Sequence, residues 1–290
     1  MSRVWDLPCW QEFQEWNIKD RIILMGHVGS RAYGMEQPDS DFDIMGVAIA
    51  PPSYYLGLQS FEQFRWQGEF KGNLYDVVIY DLRKIMRLWV KNNPHTLQIL
   101  NLPDHAYIKT SPEGKRLKAL APDILSQEAY YAIRGYAYAQ LQLLRHRYTQ
   151  QTTGHLGAKR KELITRHGWD VKAASQLIRL LRTLFDLLNT QELRVWRPDA
   201  SELISVKKGD WTLEQVEEEA KRLFRLCEEM LVKTELRKKP DTKLMNQTLI
   251  NILLKSTQGF PSGQDLLEEA QYRERQAEAN MQASYLQGGR

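Results

Sequence analysis

Gly26-His-Val-Gly-Ser-Arg-Ala-Tyr-Gly34, followed at once by Met-Glu-Gln-Pro-Asp-Ser-Asp41-Phe-Asp43, is the stretch on which the reading of this chain turns. It is entered from Ile22-Ile-Leu-Met25, a short apolar run that reads as a buried strand. The run stops at Gly26, and Gly29-Ser30 then reads as a tight turn into a short helix. A strand that delivers the chain to such a turn exposes backbone N–H groups. With the Ser30 hydroxyl added at a helix start, this is a way to hold phosphate oxygens. Asp43 to Ile49 reads as a second strand, closed by Pro51-Pro52. Asp41 and Asp43 stand two apart in extended chain, so both carboxylates point to one face while Phe42 points to the other.

Two carboxylates a few ångströms apart repel each other and resist desolvation. A divalent cation removes the conflict, and oxygen ligands on a rigid strand suit Mg²⁺, which binds through one or two carboxylates plus substrate phosphates. Outward from this stretch, Phe61 to Phe70 reads as a third strand and Leu74 to Tyr80 as a fourth. Lys71-Gly72-Asn73 is the turn that pairs them as a hairpin. The fourth strand carries one acid, Asp76, in an otherwise apolar run. If it lies beside the second strand, Asp76 completes a three-carboxylate set that holds two metal ions and activates a hydroxyl for in-line attack on phosphorus. Leu82, Ile85, Met86, Trp89 and Val90 then recur at helical spacing, and that helix ends before Pro94.

From about residue 112 the pattern is helical throughout. Tyr130, Ile133, Ala137, Leu141 and Leu144 form one apolar stripe, and Leu177, Leu180, Leu181, Leu184, Leu187 and Leu188 a second. Val216, Ala220, Leu223, Cys227 and Met230 form a third, introduced by Asp210 or Thr212 as a cap. The expected layout is an α/β (α+β) head over residues 1–108 with a small sheet, a helical domain over 109–260 and a polar tail over 261–290. Trp5, Trp10, Phe13 and Trp16 suggest an amphipathic N-terminal helix packed on the head, as core anchors first.

A chain of 290 residues buries enough surface to need no disulfide or structural metal. Its 2 cysteines, Cys9 and Cys227, are far apart and have no zinc-ligand spacing. The 8 Trp, 13 Tyr and 8 Phe exclude wholesale disorder. No apolar run is long enough to span a bilayer and the N-terminus lacks a signal-peptide core, so a cytoplasmic protein is expected, with no membrane partner. The net charge of +4 is too mild to imply a polyanion by itself. Between Arg145 and Lys172, however, seven basic residues face two acids, a net of +5. This stretch holds Lys159, Arg160, Lys161 and Arg166, with Tyr148 and Trp169 interleaved and a Gly154–Gly157 loop at its middle. The pattern suits an RNA backbone with rings for stacking, weighed against an ordinary solvated helix face.

The set Gly29-Ser30, Asp41-Phe-Asp43 and a later Asp76 resembles the signature of the DNA polymerase β-like nucleotidyltransferase superfamily. Within it, Gly-Ser-Arg-Ala-Tyr-Gly, Ser-Asp-Phe-Asp, Asp76-Val-Val-Ile-Tyr-Asp-Leu-Arg-Lys, Asn93-Pro94, Gly168-Trp-Asp-Val-Lys172 and Leu177-Ile-Arg-Leu-Leu181 are similar to the RNA repair pathway DNA polymerase β family. The resemblance runs through most of residues 20–255. Ser175-Gln176 stand where a His is common in that pattern. The resemblance implies a small mixed sheet with helices on one face, two Mg²⁺ ions (Mn²⁺ as a substitute), and transfer of a nucleoside monophosphate from an NTP with release of pyrophosphate. It further implies Asp41, Asp43 and Asp76 as the catalytic metal ligands. Nucleotide contacts fall to Gly29, Ser30 and Arg31, and to Lys172 and Arg179, which stand seven apart on one helix face. With the basic stretch, the family name favours an RNA end as the hydroxyl acceptor. A protein or small-molecule acceptor is the first alternative, and a non-catalytic NTP- or RNA-binding regulator the second.

Overall fold

The computed structural model describes residues 3–145 and 158–257. Five strands, β1 Ile22–His27, β2 Phe42–Ala48, β3 Gln63–Phe70, β4 Asn73–Asp81 and β5 Tyr107–Thr110, build one sheet in the order β3-β4-β2-β1-β5. β2 and β4 are parallel and the other neighbours antiparallel, so the sheet is mixed. The first four strands follow the apolar runs and turns of the sequence. β5 follows no such signal: Tyr-Ile-Lys-Thr is short and half-buried throughout, and its pairing to β1 recruits it. At the β3–β4 hairpin Lys71 and Gly72 have φ of 50° and 75°, which suits the twist of a two-residue hairpin turn.

Side chains alternate between two separate cores. Leu24, Met45, Val47 and Tyr80 face the helices, while Met25, Ile44, Ala48, Val77 and Ile79 face the N-terminal segment. That segment is a 3-10 turn at Arg3–Asp6 and single helical turns at Cys9–Glu12 and Ile18–Arg21, not the continuous amphipathic helix expected. Its rings do pack as core: Phe13 meets Trp16 edge-on at 5.1 Å and Phe64 at the same distance. Local turns suit this role because the rings must reach several points of a twisted sheet, which one straight helix face cannot do.

The helices that matter for the site are α1 Ser30–Tyr33, α2 Leu82–Val90, α3 Pro94–Leu97, α4 Pro112–Ala119, α5 Glu128–Arg145, α6 Ala158–His167, α7 Val171–Thr190, α8 Ala200–Lys208, α9 Leu213–Lys233 and α10 Thr242–Thr257. Asp81 caps α2 by accepting from the backbone N–H groups of Arg83 and Lys84, and Asn93 caps α3 through those of His95 and Thr96. Thr212, not Asp210, caps α9, in a reciprocal box with Gln215. α7 is the central helix of the body. It buries Leu177, Leu181, Leu184 and Leu187 completely, each stabilising by about 1.5–3 kcal/mol relative to exposure.

One core runs unbroken from Leu24 and Met45 through Trp89 to Leu177, Leu223 and Ile252, so the sheet and the helical body share an interior. Ion pairs lock the body. Arg182 on α7 donates to Asp199 at 2.8 Å, Glu202 at 2.6 Å and Glu219 at 3.3 Å. Arg197, 4% exposed, holds Asp186 at 2.6 Å and Asp199 at 2.8 Å. Its backbone N–H donates to Tyr33 O at 3.1 Å, which ties this network to the turn after β1. Among the described residues no helix is long and apolar enough to cross a membrane. The Gly154–Gly157 loop with Arg147 and Tyr148, and the 261–290 tail, lie outside the described residues.

Candidate functional site

The site begins where β1 meets β2. The Val28 N–H donates to Asp43 O at 2.9 Å, which brings the end of β1 against the start of β2. Gly29 follows at φ 65°, ψ −145°. A Cβ there would fall 2.0 Å from Asp43 Oδ2, so glycine is required for the turn and the carboxylate to coexist. Ser30 opens α1, which is only one turn of 4 residues. Its dipole is therefore small, and local N–H groups and the Ser30 hydroxyl are what it offers an anion.

The parallel register of β2 and β4 sets Asp43 directly beside Asp76, and neighbouring strands lie about 4.8 Å apart. Adjacency of the two strands, which no local pattern reveals, puts the third acid next to the second. Phe42 and Tyr75, one position earlier, stack on the opposite face with centroids 4.9 Å apart. Burial raises the Asp43 pKa to about 6, with the charges of Asp76 and then Asp41 adding to the shift and Lys172 and Arg31 opposing it. Asp76 Oδ2 accepts from Arg65 Nη2 at 3.0 Å and Gln67 Nε2 at 2.7 Å. Its Oδ1 is buried and has no hydrogen-bond partner.

These acids fit a divalent cation. Asp43 and Asp76 offer carboxylate oxygens from adjacent strands, with Asp41 just ahead of β2, and Asp76 Oδ1 is unsatisfied. Among the described residues, no group of three or more His, Cys, Asp or Glu side chains is close enough to enclose an ion unaided. The three-carboxylate set expected from the sequence is thus not drawn together as one cluster, and water and substrate phosphate would have to supply the remaining ligands of a divalent cation.

A cavity of about 560 Å³ holds Gly29, Ser30, Asp41, Asp43 and Asp76 on its sheet side, and Arg160, Lys172 and Arg179 on its helix side. Lys172 and Arg179 both project from α7. The Arg179 guanidinium lies over the Tyr33 ring, 4.0 Å from its centroid. Arg160 on α6 makes two bonds to one oxygen of Asp170, at 2.6 and 2.8 Å. Asp170 is itself 1% exposed and caps α7 through the Ala173 N–H. This pair fixes α6 and α7 together at the cleft.

Arg31 is not in that lining, although its charge reaches Asp43. Its guanidinium covers the Phe42 ring at 3.6 Å and donates to Ser40 O at 3.2 Å, outside the cavity lining. Lys161 and Arg166 are on α6 but not in that lining. Lys159 is also on α6, and its side chain lies outside the described residues.

Tyr33, His95, Gln98 and Gln176, to which no sequence pattern assigns a site role, also line this cavity. Tyr33 Oη donates to Gln98 Oε1 at 3.0 Å, joining α1 to the turn after α3. Asn93-Pro94 was the only available signal, since an Asn cap followed by Pro at the first helical position anchors the next residues in place. Ser175, at the position of the family's common His, is buried and donates to Leu203 O at 2.7 Å, while Gln176 beside it faces the cleft.

A family model described as the RNA repair pathway DNA polymerase beta family matches residues 11–251. The Bacillus subtilis (strain 168) protein YcgL is 31% identical over 110 residues, covering 38% of this chain and 41% of that protein. The chain therefore spans about two fifths of that curated relative's length. Among solved structures, a nucleotidyltransferase-like protein from Exiguobacterium sibiricum 255-15 aligns over 73% of this chain and 69% of its own, at 13% identity and a TM-score of 0.27. With most of its length matched by the family model, the chain belongs to the RNA repair pathway DNA polymerase beta family, a group of polymerase β-like nucleotidyltransferases.

Proposed function

We propose that this member of the family transfers a nucleoside monophosphate from an NTP to a hydroxyl on an RNA end, with release of pyrophosphate. The observation that carries the reading is Asp43 beside Asp76 in the β2–β4 ladder, in one cavity with Gly29, Ser30 and Asp41. Asp41, Asp43 and Asp76 are the residues that would hold two Mg²⁺ ions. When bound, the ions supply charge neutralisation at the phosphates and make the acceptor hydroxyl more acidic.

The chain's own groups account for the rest. Ser30 Oγ and the Gly29 turn bind the outer phosphates, and Lys172 faces them across the cavity. Arg179, steadied on the Tyr33 ring, adds a second positive charge. The acceptor oxygen attacks the α-phosphorus in line as the bond to the bridging β-oxygen breaks, and pyrophosphate leaves with that electron pair. Asp76 Oδ1, the carboxylate oxygen with no hydrogen-bond partner, would hold the ion that acidifies the acceptor hydroxyl, and the hydroxyl's proton leaves to water as the oxygen attacks. Arg65 and Gln67 occupy the other oxygen and thereby orient the carboxylate. The family's description and the cationic helix wall of the cleft favour RNA over a cationic small molecule.

The test is transfer of label from each α-labelled NTP, with Mg²⁺, to a panel of RNA, DNA and protein acceptors, beside the Asp41→Ala/Asp43→Ala double variant. Label on RNA that vanishes in the variant is the expected result. Label on protein alone would remove the RNA assignment, and binding of NTP with no label anywhere would favour a regulator.

A further inference from the structure

A second cavity, of about 490 Å³, adjoins the carboxylate cleft, and of its lining only Arg179 and Tyr33 enter the chemistry above. The two share Tyr33, His95, Gln98, Gln176 and Arg179 as a common wall. We propose that this second cavity receives the terminal nucleoside of the RNA acceptor, its base stacking on Tyr136. This assignment rests on the nucleotidyl-transfer reading and extends it to the acceptor.

The order of the strands supplies the first argument. The Gly29-Ser30 turn follows β1, on one side of the Asp43–Asp76 pair. The second cavity reaches the other side through Tyr80 on β4 and its register partner Gln63 on β3, while its wall at Tyr33 and Arg179 joins it to the Ser30 side. An in-line displacement requires the entering oxygen and the leaving pyrophosphate on opposite sides of the phosphorus. If phosphates occupy the Ser30 side, the acceptor approaches from the β4–β3 side, which is where this cavity opens.

The lining supplies the second. Its lining combines apolar side chains such as Leu88, Ile133 and Leu180 with aromatic and amide ones, and with the cationic Lys84, Arg179 and Arg194. This is the composition of a pocket for a flat heterocycle, where rings stack and a few polar groups read its edge. Tyr136 is 45% exposed, with only a long 3.4 Å contact from Asn93 Nδ2 to its hydroxyl, so the ring is accessible at the mouth. Gln63 is exposed on the edge strand β3, opposite Tyr80 in the ladder. Gln98, in contrast, is committed to Tyr33 and to His95 O at 2.7 Å, and serves as wall. The polar face of β3, with Arg65 next to Asp76, continues from the carboxylates toward Gln63 and offers a positive charge to the acceptor's adjoining phosphate.

The experiment uses the full chain and fluorescent single-stranded RNA 12-mers, intact or with an abasic residue at the 3′ or the 5′ terminus. Binding is read by anisotropy and NTP affinity by competition. The intact RNA is expected to bind about tenfold more tightly than the RNA abasic at one end, in line with base–aromatic stacking. Tyr136→Ala should abolish that difference and leave NTP affinity unchanged, and Gln63→Ala should reduce it. Equal binding of all three RNAs, or a Tyr136→Ala variant that weakens NTP instead, would overturn the assignment. Label transfer run in parallel keeps the two readings apart. Base discrimination without transfer removes the enzymatic reading and leaves the pocket assigned. Transfer in which Tyr136→Ala raises the KM for NTP but not for RNA removes the pocket assignment alone.

Discussion

Gly29→Ala loads the cleft in two ways that a control variant separates. Gly29 sits at φ 65°, ψ −145°, and a side chain forced into such a region costs about 1–3 kcal/mol. The added Cβ would also lie 2.0 Å from Asp43 Oδ2, 2.9 Å from its Cγ and 3.2 Å from its Cβ. Rotation of the carboxylate relieves the first contact but not the last, so Asp43 must move with its backbone or swing away from Asp76. A shift of about 1 Å at a reacting centre lowers turnover by roughly 100-fold. Gly72 has a comparable φ of 75°, yet a Cβ there meets nothing within 4 Å. Gly72→Ala therefore carries the backbone cost alone, about 1–2 kcal/mol, or a Tm lower by roughly 2–8 °C for a chain of this size. Both variants are assayed by urea denaturation and by label transfer from NTP. Gly72→Ala is expected to keep full transfer, and Gly29→Ala to lose it by about 100-fold while still folded. Equal transfer by the two variants would refute the claim that the turn and Asp43 are mutually fitted.

Other outcomes follow from the same geometry. Arg197→Met removes a partner of Asp186 and one of the two arginines on Asp199, which keeps Arg182, and should lower unfolding free energy by about 1–3 kcal/mol, read from the urea midpoint. Burial pushes the Asp199 pKa up, but hydrogen bonds from Arg182 and Arg197 prevail and hold it below the ordinary carboxylate value. Its folded-state pKa is thus below its unfolded one. The stability it adds is complete above about pH 4 and is lost as pH falls through the folded value, so Asp199→Asn should flatten the acid limb of stability against pH. Lys172→Ala, at an exposed position on α7, should weaken NTP binding by about tenfold with unchanged circular dichroism, as for loss of one charge-assisted contact.

What the sequence made legible follows from locality. β1 to β4 and the three long body helices were readable because each is a run or stripe within one segment, as at Leu177 to Leu188 on α7. Asp41 and Asp43 could be paired because alternation along a strand is a local rule. That Asp76 lies beside Asp43 was only conditional, because parallel strands are joined by a crossover and their register is set by the whole sheet. β5 was invisible, since its four residues owe their conformation to β1. The cleft wall of Tyr33, His95, Gln98 and Gln176 comes from three separate elements, and only packing brings it together. Arg31 illustrates the converse. Its position beside Ser30 suggested phosphate; part of its guanidinium lies on the Phe42 ring and the Ser40 carbonyl, while its buried Nε has no hydrogen-bond partner, and only packing sets that arrangement.

The central claim is that Asp43 and Asp76, adjacent across β2 and β4, carry nucleotidyl transfer. It is tested most directly by measuring pyrophosphate release and labelled product together, for the wild type and for Asp43→Asn and Asp76→Asn, each shown to be folded. The account predicts one pyrophosphate per nucleotide transferred, with both signals falling together by about 100–1,000-fold in either variant. Undiminished transfer by the Asp43→Asn protein, or label moving without pyrophosphate, would contradict it.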